Sequence, residues 1–251
     1  MIDDPQFTAN LFFPQPSATG CPPSARDELV TVDGAAIELR VHGTGASRGT
    51  LLMFHGNGET VADWDDFAPQ ITSKGWDFAV AGYRGYGASS GTPSLRTALA
   101  DAVVVTEHVT MSAVAPLVIM GRSLGSACAW EVAVQLGERI AGVLIESGIV
   151  DVDAFVRRRG FEPADLPSVE RSLIDPLPKL ARVRAQLLWI HGELDAAISI
   201  VEAERGVAAS PAKEKRLARI PGRGHNDVMV AAQHGREIGE LLGRIGGLVQ
   251  G

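Results

Sequence analysis

Between Glu28 and Val41 apolar and polar residues alternate in two runs, Glu28 to Val32 and Ala36 to Val41, on either side of Asp33-Gly34. A period of two around an Asp-Gly pair predicts an antiparallel hairpin with a two-residue turn. After the hairpin the rhythm changes. Thr50 to Phe54, Asp77 to Ala81, Pro116 to Met120, Ile140 to Ile145 and Gln186 to Ile190 are short, nearly continuous apolar runs, as expected of strands covered on both faces. Arg216 to Ile220 alternates again and is expected at an edge. Between the strands lie helical patterns. Thr92-Pro93 has the form of an N-cap followed by a first-turn proline, and Leu95, Leu99, Ala102, Val103, Thr106 and Val109 then recur at helix spacing. Ile238, Leu241, Leu242, Ile245 and Leu248 predict a C-terminal helix. A hairpin followed by buried strands alternating with helices predicts an α/β fold, a mostly parallel sheet with helices on both faces. In such sheets, ligands and chemistry collect at the carboxyl ends of the strands.

Residues 1–27 do not share this patterning. Pro5, Pro14, Pro16, Pro22 and Pro23 surround Leu11-Phe12-Phe13, which predicts an irregular arm laid on the domain formed by residues 28–251. A net charge of −7 lacks the basic surface needed to bind nucleic acid. No stretch approaches the roughly 18 apolar residues of a membrane span. The acidic start and the two cysteines, Cys21 and Cys128, make a reduced cytoplasmic protein the expectation.

The strand Pro116 to Met120 runs into Gly121-Arg122-Ser123-Leu124-Gly125 and then into a helix of small residues. Gly-x-Ser-x-Gly between strand and helix predicts a strained nucleophile elbow with Ser123 as the nucleophile. Acyl transfer also needs two N–H donors for an oxyanion. The amide of Leu124 is one candidate, and that of Asn57, in the glycine-rich His55-Gly56-Asn57 turn, is the other. Asp195 follows the Leu187 to Ile190 strand, and His225 ends the Gly-rich loop after the edge strand. In the order Ser123, Asp195, His225 they supply nucleophile, acid and base. Glu146 is expected to be a structural carboxylate, His191 to shape the acid loop, and Tyr83 and Tyr86 to brace the pocket floor. No Gly-x-Gly-x-x-Gly is completed and no metal-ligand set emerges, so neither cofactor nor metal is expected.

His55-Gly56-Asn57, Tyr83-Arg84-Gly85-Tyr86-Gly87, Gly121-Arg122-Ser123-Leu124-Gly125 and Gly222-Arg223-Gly224-His225 together resemble the α/β-hydrolase superfamily, specifically the small Bem46-like and ABHD13/17-type serine hydrolases. The resemblance implies an eight-stranded sheet whose second strand is antiparallel. It also implies a Ser123–Asp195–His225 triad and an oxyanion hole made by the Asn57 and Leu124 amides. Two departures are Ala196-Ala197-Ile198-Ser199, where relatives often carry a proline, and Arg223, where a small residue is common. Superfamily caps enter after the sixth strand, but residues 149–184 are too few for a large lid. One short helix at Asp153 to Arg159, a minimal cap and an open site are expected.

Trp64, Phe155 and Phe161 are the candidates to line an acyl pocket. Arg84, Arg122, Arg157 and Arg223 either add positive charge at its mouth or are paired. The expected substrate is a small-molecule acyl ester, cleaved through an acyl-serine. Thioester or amide hydrolysis with the same triad, and a non-catalytic ligand-binding homologue, are the alternatives.

Overall fold

The computed structural model describes residues 1–17, 19–112 and 115–247. Its eight strands are β1 (Ala25–Val32), β2 (Ala35–His42), β3 (Thr50–Phe54), β4 (Asp77–Ala81), β5 (Leu117–Arg122), β6 (Ile140–Glu146), β7 (Gln186–Gly192) and β8 (Lys215–Ile220). They form one sheet in the order β1-β2-β4-β3-β5-β6-β7-β8. The hairpin closes at Asp33-Gly34, where Gly34 adopts φ 69. β2 runs antiparallel to both neighbours, and every other pairing is parallel. The predicted fold is therefore the observed one, with strand boundaries moved by a few residues.

The buried-strand pattern has a direct reading in the packing. In β3, Leu51 and Met53 face one core while Leu52 and Phe54 face the other. Val118 and Met120 against Leu117 and Ile119 repeat this in β5. Nine α-helices among the described residues cover the faces: α1 (Pro5–Leu11), α2 (Ala68–Thr72), α3 (Leu95–Ser112), α4 (Gly125–Leu136), α5 (Val152–Arg157), α6 (Ser168–Ile174), α7 (Pro176–Leu180), α8 (Ile200–Ala209) and α9 (Ala232–Ile245). Leu248, expected to continue the last helical face, lies outside the described residues. The chain passes from β3 to β4 on one side and then over β3 to β5 on the other. The crevice of such a sheet lies where strand order reverses, at the carboxyl ends of β3 and β5.

Three expectations need correction. α3 begins at Leu95 rather than Pro93, because Ser94 and not Thr92 precedes its first turn, with Oγ accepting from Thr97 N at 3.1 Å. The arm is not wholly irregular, because α1 forms within it. Pro5 sits in its first turn, where a missing N–H breaks no helical bond, and Asp4 caps it by accepting from Gln6 N at 2.8 Å and Phe7 N at 3.2 Å. The stretch between β6 and β7 holds three short α-helices, α5 to α7, rather than one. Asp151 and Asp175 cap α5 and α7, and Pro176 starts α7, so local capping divides the segment finely. Among the described residues no helix is long and apolar enough to cross a membrane.

Candidate active site

Ser123 stands at the end of β5 with φ 49, a left-handed conformation in which a serine is strained. Two close approaches hold it there. A Cβ on Gly121 would lie 2.6 Å from Gly125 O, and one on Gly125 would lie 2.0 Å from Phe54 O. Glycine at both positions lets α4 start directly against β3 and β5. Ser123 N donates to Glu146 O at 2.9 Å, and its carbonyl accepts from Ser126 Oγ at 2.6 Å. The side chain is half-buried.

The loops after β7 and β8 bring two partners to this serine. His225 Nε2 is 3.0 Å from Ser123 Oγ, and His225 Nδ1 is 2.8 Å from Asp195 Oδ2. An ionised carboxylate only accepts, so Nδ1 carries the proton and Nε2 offers its lone pair to the hydroxyl. Asp195 is fixed in turn: its Oδ1 accepts from Ala197 N at 2.9 Å and Ile198 N at 2.8 Å. His191 Nε2 lies 3.2 Å from Asp195 Oδ2 while bonding Ile198 O at 2.8 Å. Burial alone would raise the Asp195 pKa. The hydrogen bonds from His191, His225 and the Ile198 amide outweigh it and hold the carboxyl well below the usual range.

The loop after β3 is fixed as tightly. Gly56 O accepts from His55 Nδ1 at 2.8 Å and from Glu59 N at 3.4 Å. In a trans peptide the N–H points opposite to the C=O, so pinning Gly56 O also fixes the direction of the Asn57 amide. Burial keeps His55 neutral by depressing its pKa to about 4. Tyr83 OH donates to His55 O at 2.7 Å, and Tyr86 OH donates to Asn57 Oδ1 at 2.8 Å. The tyrosines thus brace this loop rather than a pocket floor. On the other side, the Leu124 amide lies at the start of α4, where helix geometry supplies no intrahelical acceptor.

A family model described as serine aminopeptidase, S33, matches residues 45–164. The uncharacterized protein Rv2307c of Mycobacterium tuberculosis is 32% identical over 223 residues, which cover 85% of this chain and 77% of that protein. Mouse alpha/beta hydrolase domain-containing protein 17C is 26% identical over 206 residues, 78% of this chain and 60% of its own length. The chain belongs to the α/β-hydrolase superfamily. Among solved structures, Est1E of Butyrivibrio proteoclasticus with ferulic acid bound superposes with a TM-score of 0.74 at 15% identity, covering 87% of this chain and 98% of that one. The Pyrococcus furiosus esterase Pf2001 does so with a TM-score of 0.73 at 16% identity, covering 93% and 99%. At those identities the likeness is one of fold.

In this α/β-hydrolase, a small apolar pocket is lined by Leu95, Leu124, Ala127, Ile149, Val152, Phe155, Ile174 and Pro176. It contains Leu124, the residue next to Ser123, and of the three aromatic candidates only Phe155. Trp64 packs in the core on the opposite face of the sheet, with Nε1 donating to Glu59 Oε2 at 3.3 Å. Phe161 turns to the arm, its ring 5.3 Å from that of Phe7. The arginines are mostly paired: Arg84 with Asp101 at 2.7 Å, Arg223 with Asp227 at 3.3 Å, and Arg122 with Glu59 and Glu146. Arg157 is exposed.

Glu146 is the structural carboxylate expected, buried between Arg122 Nε at 3.0 Å and His234 Nε2 at 2.7 Å. His234 thus has a carboxylate partner beneath the site; His42 and His108 likewise face Asp65 and Glu28. Among the described residues no group of three or more His, Cys, Asp or Glu is placed to hold a metal.

The arm's part in the site was not legible in the sequence. Asn57 Nδ2 donates to Leu11 O, and Asn57 Oδ1 accepts from Phe13 N at 3.2 Å. Phe7, fully buried, meets Phe155 at 6.2 Å between ring centroids, and Asn10 Nδ2 donates to Arg159 O at 2.9 Å. The arm therefore spans from the loop after β3 to the helices that wall the pocket. The apolar Leu11-Phe12-Phe13 run was its only signal.

Proposed function

We propose that this α/β-hydrolase cleaves carboxylic esters of small or medium acyl groups through an acyl-serine intermediate. The observation that carries the reading is the unbroken chain from Ser123 Oγ to His225 Nε2 at 3.0 Å and from His225 Nδ1 to Asp195 Oδ2 at 2.8 Å. His225 takes the Ser123 proton as Oγ attacks the ester carbonyl. The negative charge that develops on the carbonyl oxygen is received by the Asn57 and Leu124 amides. Collapse of the tetrahedral intermediate expels the alcohol, protonated by His225, and leaves the acyl group on Ser123. Water activated by the same imidazole then releases the acid. Asp195 stays ionised throughout, holding the tautomer and stabilising the imidazolium.

The apolar pocket beside Leu124 supports an uncharged acyl chain. The family model's description brings aminopeptidase-type amide hydrolysis as a second reading. A peptide's terminal ammonium needs a carboxylate, however, and the residues lining this pocket are all apolar, which favours the ester. The reading takes residues 28–251 as one catalytic domain with the arm laid across it. Cys21 and Cys128 are free thiols, which supports action in a reducing compartment such as the cytoplasm.

The test is a panel of p-nitrophenyl esters, thioesters and amides of increasing chain length, run on wild type and Ser123→Ala, with fluorophosphonate labelling alongside. Ester turnover and labelling should both vanish in the variant. Full activity in Ser123→Ala would refute the mechanism, and a wild type that neither labels nor turns over would make the chain a ligand-binding homologue.

A further inference from the structure

Arg122 occupies the variable position before the nucleophile, and its side chain turns back under the site. It is 4% exposed and has four acceptors. Nη1 pairs with Glu59 Oε1, Nε with Glu146 Oε1 at 3.0 Å, and Nη2 with Asn226 Oδ1 at 2.8 Å and His225 O at 3.2 Å. Three of the four therefore lie on the two loops that carry the Asn57 amide and the His225 imidazole. Glu59 passes the constraint on: its Oε2 accepts from Gly56 N at 2.7 Å, and its own N–H donates to Gly56 O at 3.4 Å. On the far side, Glu146 Oε2 meets His234 Nε2 at 2.7 Å, which ties the network to α9. Gly56 is what allows the passage, since a Cβ there would come within 2.5 Å of Arg122 Nη1. A planar guanidinium fork can meet acceptors in three directions at once, which a lysine ammonium on one stem cannot reproduce.

We propose that Arg122 is a positioning residue that locks the oxyanion loop to the histidine loop and so sets the rate of acyl transfer without touching substrate. The proposal rests on the acyl-serine reading above. A buried arginine that only stabilised the fold would change how many molecules are folded, not how fast each one works. One that sets loop geometry lowers turnover per site, because displacements near 1 Å reduce rate by about 10²-fold.

The experiment uses the full chain with p-nitrophenyl acetate, active sites being counted by complete fluorophosphonate labelling. Arg122→Gln should lower kcat per labelled site by about 10²-fold with KM within about twofold, and Arg122→Lys should fall between it and wild type. Glu59→Gln should lose about 10-fold, and the Arg122→Gln/Glu59→Gln pair should lose no more than Arg122→Gln alone, since the two act as one unit. Wild-type kcat per site in Arg122→Gln, or losses that multiply in the pair, overturns the proposal. If Arg122→Gln gives too few labelled sites to assay, wild-type kcat in Glu59→Gln overturns it instead. Ser123→Ala separates the two failures. If that variant is inactive while the Arg122 variants turn over normally, only the role of Arg122 falls; if it is fully active, the acyl-serine reading falls first.

Discussion

Gly125→Ala adds a single methyl group where the elbow has least room. The new Cβ would lie 2.0 Å from Phe54 O, 2.6 Å from Phe54 C and 2.8 Å from His55 O. All three are main-chain atoms at the end of β3, which is hydrogen-bonded to β4 on one side and β5 on the other, so no side chain can swing away. Reaching even the shortest contact real Cβ atoms show requires the start of α4 to move out by about 1 Å, an overpacking strain of about 1–3 kcal/mol. That movement carries the Leu124 amide away from the loop of Asn57. We expect kcat to fall by about 10²-fold with little change in KM, and Tm to fall by about 2–4 °C for each kcal/mol lost.

The assay is kcat per labelled site on p-nitrophenyl acetate, together with thermal unfolding. Gly235→Ala is the matched control. Within 4 Å its new Cβ would meet only the flexible end of Gln70, at 3.2 Å, and it sits inside α9. Alanine is better than glycine there by up to about 1 kcal/mol, so Tm should rise and kcat should stay put. Wild-type kcat in Gly125→Ala would refute the claim that the α4–β3 approach sets the oxyanion geometry.

Three other outcomes follow from the same geometry. Burial, partly opposed by the bond to Gly56 O, depresses His55 to about 4, below its unfolded value of about 6.5. Its contribution of at most about 3 kcal/mol is therefore fully present above pH 6.5 and lost as pH falls toward 4; chemical denaturation from pH 7 to pH 4 should show His55→Gln losing less than wild type, and parallel curves would contradict it. Ile149→Phe puts a larger side chain into the apolar pocket, so hexanoyl ester should lose at least about 10-fold in kcat/KM relative to acetyl ester, and an unchanged ratio would remove this pocket from the acyl path. Phe7→Ala empties the contact with Phe155 and Phe161, so limited proteolysis should cut within residues 1–13 faster than in wild type while the Tm of the rest shifts little; an equally resistant arm would show that α1 is held by other contacts.

The pattern of apolar and polar positions was enough to predict a mostly parallel sheet, its hairpin and the strand-end loops that hold Ser123, Asp195 and His225. These signals are local: a period of two, buried runs, an Asp-Gly turn, and glycines on either side of a serine. Each needs only neighbours along the chain to be read, and strand ends in a parallel sheet bring their loops together whatever the intervening helices do. Partnerships across the sheet were not legible. Trp64 looked like a pocket residue because nothing local states which face of the sheet a side chain joins. Arg122 was left between a mouth charge and a paired residue, since Glu59, Glu146 and Asn226 lie far from it in the chain. The arm looked irregular because proline density was weighed without Asp4, whose capping places Pro5 where proline does no harm. Only tertiary packing decided that Asn57 would bind Leu11 and Phe13, because those hydrogen bonds exist only after the arm has docked.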